Sequence, residues 1–71
     1  MFNTPQINVV YAIRLCSGEL RLWKHLGIGE GQRIWWSDIS TGSVFNEDSL
    51  LYAWVIEAVA DQDFIDSMIN Q

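Results

Sequence analysis

The chain has 71 residues, a net charge of −5, a single cysteine and a single histidine. With Cys16 the lone cysteine and His25 the lone histidine, an internal disulfide and a zinc site built from His and Cys are both excluded. A chain this short hides only roughly 60% of the surface its unfolded form exposes. It reads as one domain, 1–71, whose stability must come from its four Trp, three Phe and two Tyr or from association.

A lone thiol suits a reducing compartment. The first five residues have neither the basic region nor the apolar stretch of a signal peptide, and the longest nearly apolar run, 50–60, is too short to span a bilayer. A soluble, cytoplasmic chain with no membrane partner is expected. The charge is unevenly spread. All four basic residues (Arg14, Arg21, Lys24, Arg33) lie before residue 37, where they face Glu19 and Glu30 and leave +2. The remainder carries seven acids and no cation, a local charge of −7.

In chain order, residues 1–6 form a short arm. From Ile7 to Cys16 the pattern has period two, with Ile7, Val9, Tyr11, Ile13 and Leu15 on one side, which predicts a strand. Ser17-Gly18 suits a two-residue turn, and Glu19 to Leu26 returns. That turn places Cys16 opposite Glu19, Ile13 opposite Leu22 and Arg14 opposite Arg21, and collects the large aliphatics on one face. The glycine-containing stretch 27–32 is a loop; Arg33 to Ile39 is a third strand, and Val44-Phe45 a short fourth one. Asn46 is a good N-cap, with Glu47 and Asp48 in a first turn and Phe45 and Leu50 at staple spacing. A helix is predicted over 47–60, and either Asp61 or Asp63 can cap a short final helix through Phe64, Ile65, Met68 and Ile69. The fold class is α+β: a small antiparallel sheet of three to four strands followed by a C-terminal helix packed on one face.

No motif supplies chemistry. Gly27, Gly29 and Gly31 resemble a phosphate loop but lead into a strand-like run, not a helix N-terminus. Cys16 and His25 lie far apart along the hairpin, too far for a nucleophile and its base, and the acids at 61–66 lack the turn glycine and bidentate Glu of a calcium loop. The expectation is a non-enzymatic chain without cofactor or metal.

Function therefore falls to surfaces. In the predicted helix, ten of the eleven residues 50–60 are apolar. Tyr52 and Ile56, well round from its packed face, are assigned to a homodimer interface. On the sheet's outer face Arg14, Arg21, Trp23 and His25, with Trp35 or Trp36, form an aromatic and basic platform, whose composition is that of protein-interface hot spots. Stacking of nucleic-acid bases on it is the alternative, disfavoured by the net charge. Asp61, Asp63, Asp66 and Glu57 form an acidic surface for a basic partner. The reading is an acidic protein-interaction module that binds and modulates or inhibits a larger protein. Size and charge suit a phage or mobile-element inhibitor of the anti-CRISPR kind; a structural accessory subunit is a further alternative.

Overall fold

The computed structural model describes residues 5–69. It is an α+β fold with one antiparallel sheet and one short C-terminal helix. The strands are β1 (Val10–Leu15), β2 (Leu20–Ile28), β3 (Ile34–Asp38), β4 (Val44–Asn46) and β5 (Trp54–Val59), followed by α1 (Gln62–Ile69). Four strands meander in sequence, and β5 returns to the far side of β1, so the order is β4-β3-β2-β1-β5. The sheet thus has five strands where three or four are expected. Most of the predicted arm, residues 1–4, lies outside the described residues.

The largest departure from expectation is the segment 47–60. Asn46 does act as a cap, its side-chain oxygen accepting from the Ser49 N–H at 3.0 Å, but the helix it caps is a single 3-10 turn, Glu47–Ser49. The chain then runs extended into β5. An apolar pattern almost all round is anomalous for a surface helix; as a strand the segment alternates, with Trp54, Ile56 and Ala58 half-buried and Val55, Glu57 and Val59 exposed. Trp54 and Ile56 join an aromatic cluster on one face, and Ala58 sits opposite Ala12 on the other. The β-branched and aromatic residues Trp54, Val55, Ile56 and Val59 also favour the pleated conformation.

The β1–β2 hairpin is displaced by one residue from the predicted register. Arg14 faces Leu20, Ile13 faces Arg21 and Tyr11 faces Trp23. The reason lies in the loop, which holds three residues, not two. Leu15 N–H donates to the Glu19 carbonyl at 2.9 Å, closing Cys16-Ser17-Gly18, with Gly18 at φ +93. A left-handed glycine in the last loop position is the signature of that longer turn. Because side chains alternate, the slip exchanges the faces of β2. Tyr11, Ile13, Leu15, Trp23 and His25 share one face, while Val10, Ala12, Leu20 and Leu22 share the other. Arg14 and Arg21, predicted as neighbours on an outer face, stand on opposite faces.

Both faces are covered, by different means. On one, Phe64 and Ile65 of α1 pack with Ala12, Leu22 and Ala60. Asp61 starts this helix, its carboxylate accepting from the Phe64 N–H at 2.8 Å. The other face is its own cover. Strands β3 and β5 are separated by three strand spacings, roughly 14 Å, yet the rings of Trp36 and Trp54 lie 5.6 Å apart. The sheet curls, so that rings from distant strands meet on its concave side. Bulges help: the ladders shift register at Ala12/Ile13 and at His25/Gly27, and an extra residue bends its strand and increases the twist.

Trp36 is the hub of the concave core, 0% exposed, with Tyr11, Trp23, His25 and Trp54 around it. Its indole N–H donates to Glu47 at 2.7 Å, tying the 3-10 turn to the core. His25 is buried edge-on to Trp36 at 4.7 Å, and its Nδ1 has no hydrogen-bond partner. His25→Phe keeps a ring there and removes the unpartnered nitrogen. An unsatisfied buried group costs about 1–3 kcal/mol, and 1 kcal/mol is worth roughly 4–8 °C at this size, so this variant is expected to melt at least about 4 °C above the parent. Calorimetry checks it; a lower melting temperature would show that the imidazole is stabilising.

Candidate functional site

One end of the concave face is left unfilled. Leu15, Trp23, Phe45, Leu50 and Tyr52 wall a hollow of about 410 Å³, with Glu19, Arg21, Asp38, Thr41 and Ser43 along one side. Strand periodicity explains how these residues meet. Leu15 belongs to the inward set of β1, Arg21 and Trp23 to that of β2, and Phe45 stands opposite Trp36 on β4. Leu50 and Tyr52 arrive from the connection that follows the 3-10 turn. Trp23 is the floor, 2% exposed and packed edge-on to Phe45 at 4.7 Å. Tyr52 forms the lip at 44% exposure, and between it and Leu50 stands Leu51, 95% exposed.

The polar side is an ion cluster. Asp38 lies directly across from Trp23, which puts Arg21 on the diagonal. Arg21 donates to the same Asp38 oxygen twice, from Nη2 at 2.6 Å and Nε at 3.0 Å, and to Glu19 from Nη1 at 3.0 Å. The other Asp38 oxygen accepts from the Ser40 N–H at 2.9 Å. The hydrogen bond to Asp38, above all, holds the Arg21 guanidinium above its ordinary pKa. Two carboxylates against one guanidinium leave the side of the hollow with a net single negative charge.

Elsewhere the cations are spent inside the fold. Arg14 pairs with Glu57 at 3.1 Å, and that hydrogen bond holds the Glu57 carboxyl below its usual range. Arg33 pairs with Asp48 at 3.1 Å. Among the described residues Lys24 is the cation outside any ion pair.

The predicted aromatic and basic platform is not assembled. Trp23 and His25 are buried in the concave core, because the three-residue loop turned that side of β2 inward. Arg14 and Arg21 are held by acids on opposite faces. Trp36 points inward and Trp35 to the convex side, half-buried, with its indole N–H donating to the Glu30 carbonyl at 3.1 Å. Its ring lies so close to Gly29 that a Cβ there would stand 2.8 Å from it. The predicted pairing of Tyr52 with Ile56 is also lost, since Ile56 packs into the core while Tyr52 lies outside it. Of the four acids assigned to a basic partner, Asp61, Asp63 and Asp66 are exposed on or beside α1. They are separate from the hollow, and Glu57 is committed to Arg14. No group of three or more His, Cys, Asp or Glu side chains among the described residues is placed to hold a metal ion. No helix among them is long and apolar enough to cross a membrane.

Comparison of the chain with known protein families, with curated proteins and with solved structures finds no match.

The residues that sequence reasoning missed are Leu15, Glu19, Asp38, Phe45, Leu50 and Leu51. A signal for the ion cluster was present. Glu19, Arg21 and Trp23 alternate on one strand, as do Trp36 and Asp38, so whichever face takes the tryptophans takes the charges too. The hollow itself has no local signal, because it depends on how the sheet curls.

Proposed function

We propose that the chain is an acidic protein-interaction module that acts by binding a larger partner, and that the open end of the concave face is its contact surface. The observation that carries this reading is the pairing of Leu51, 95% exposed, with Tyr52 at the lip of an aromatic-walled hollow. A leucine held wholly in water beside a hollow lined by Trp, Phe and Tyr has the form of an anchor and its pocket, the arrangement from which interfaces draw most of their energy. Charge supports a basic partner surface. With Arg14 and Arg33 each matched by one acid and Arg21 by two, the excess falls on Glu30, Glu47, Asp61, Asp63, Asp66 and the Glu19–Asp38 pair, with Lys24 as the remaining cation. Such a field steers basic surfaces toward the molecule.

The test is a comparison of baits in a cell lysate: the parent chain, Leu51→Asp, and Asp63→Asn as a control on α1. Leu51 is so exposed that its replacement leaves folding within about 0.5 kcal/mol. A partner held by the parent and the control but lost by Leu51→Asp is the expected result. Equal capture by all three would place the contact surface elsewhere.

A further inference from the structure

The chemistry of the hollow names its occupant, and the argument rests on the interaction reading given above. We infer that the hollow receives a cationic side chain of the partner, an arginine in the first place. Its walls are the rings of Trp23, Phe45 and Tyr52, and its charged side carries Glu19 and Asp38 against Arg21. Aromatic faces combined with a negative edge are the arrangement that holds a cation, because the ring quadrupole and the carboxylate act on it with the same sign.

The two carboxylates are not equivalent. Asp38 is saturated: one oxygen takes two bonds from Arg21 and the other takes the Ser40 N–H. Glu19 gives one oxygen to Arg21 and has no hydrogen bond to the other, and its side chain is 55% exposed. One carboxylate oxygen is therefore open at the edge of an aromatic hollow. A planar guanidinium can stack on the Tyr52 ring while one of its N–H groups reaches that oxygen, a combination a lysine ammonium reproduces less well.

The rival occupants fit less well. An apolar side chain would fill the walls but make no use of the open Glu19 oxygen or of the negative charge beside it. A carboxylate could reach only a guanidinium already held by two acids, on a chain of net charge −5. Another hollow among the described residues, about 350 Å³ beside Trp35 and Val44, has Glu30 as its one lining charge and Trp35 as its one lining ring. It lacks the several rings that would surround a cation.

The experiment is an NMR titration of the full chain with four blocked amino acids: N-acetyl-argininamide and the corresponding leucine, tryptophan and glutamate amides. The expected result is saturable shifts at the Trp23 indole, Tyr52 and Glu19 with the arginine probe. Its dissociation constant should be roughly five- to tenfold below that of the leucine probe, the scale of one cation–π contact with its hydrogen bond. Glu19→Gln should weaken the arginine probe severalfold and flatten its salt dependence, while leaving the leucine probe unchanged. Leucine or tryptophan binding as well as arginine, glutamate binding better, or no shift at the hollow with any probe would each overturn the assignment. The lysate comparison with Leu51→Asp is independent of the probes. A partner lost there, with no arginine selectivity here, sinks the cation assignment and leaves the interaction reading standing.

Discussion

Trp36→Ala should leave the chain without a stable tertiary structure at room temperature. The side chain is 0% exposed, and its removal empties the point where the rings of Tyr11, Trp23, His25 and Trp54 converge. It also leaves the Glu47 carboxylate without the indole N–H that holds the 3-10 turn at 2.7 Å. Truncating a buried Trp costs about 3–5 kcal/mol through lost transfer energy and the cavity left behind. The core of a domain this small supplies only about the same amount, so the variant sits at or below the threshold of folding. Loss of the near-ultraviolet circular dichroism signal and collapse of amide dispersion are the expected readouts. Trp36→Phe separates the two contributions: it keeps a ring and loses the donor. Its melting temperature should fall by roughly 5–15 °C with the fold retained. A Trp36→Ala protein that melts within a few degrees of the parent would refute the concave cluster as the main source of stability.

Arg21→Ala is expected to have the next largest effect. The Asp38 side chain is 9% exposed and receives both of its bonds at one oxygen from Arg21. Removing the guanidinium leaves a largely buried carboxylate with the Ser40 N–H alone. Breaking a fully buried pair in this way costs about 3–5 kcal/mol. Arg21 itself is 25% exposed, so solvent screens part of the interaction and roughly 2–3 kcal/mol is expected. Chemical denaturation should show that loss, and a second substitution distinguishes its origin. Adding Asp38→Leu to Arg21→Leu removes the stranded charge together with its partner and should recover much of the stability. If Arg21→Ala is neutral, the cluster beside the hollow is an ordinary surface pair.

The two errors of register and of helix share a physical root. The expectation that the aliphatics of β1 and β2 face one way assumes that only one face of the sheet is buried. Under that premise a two-residue turn at Ser17-Gly18 is the better solution. In the fold both faces are buried, one under α1 and the other within the curl of the sheet, so neither face needs to collect every aliphatic. The same premise made 50–60 look like a helix with a surplus apolar side. As the edge strand, 54–59 turns Trp54 and Ile56 into the tryptophan cluster and leaves Val55 and Val59 exposed, with Leu51 and Tyr52 exposed in the connection before it.

By itself the sequence determined those features that are decided within a few residues. The hairpin between two strands, its turn at Gly18, the Asn46 cap and the short final helix each follow from one residue's backbone freedom or one side chain's reach; of the two acids that offer the last cap, Asp61 takes it. The split of charge and the abundance of aromatics were legible for the same reason, since both are read from composition and order alone. Tertiary structure alone decided which face of β2 the tryptophan took, that 54–59 pairs with β1, and that a hollow opens beside Arg21 and Asp38. Those outcomes depend on what covers each face of the sheet. The cover comes from α1 and from rings on distant strands, whose contacts no local pattern records.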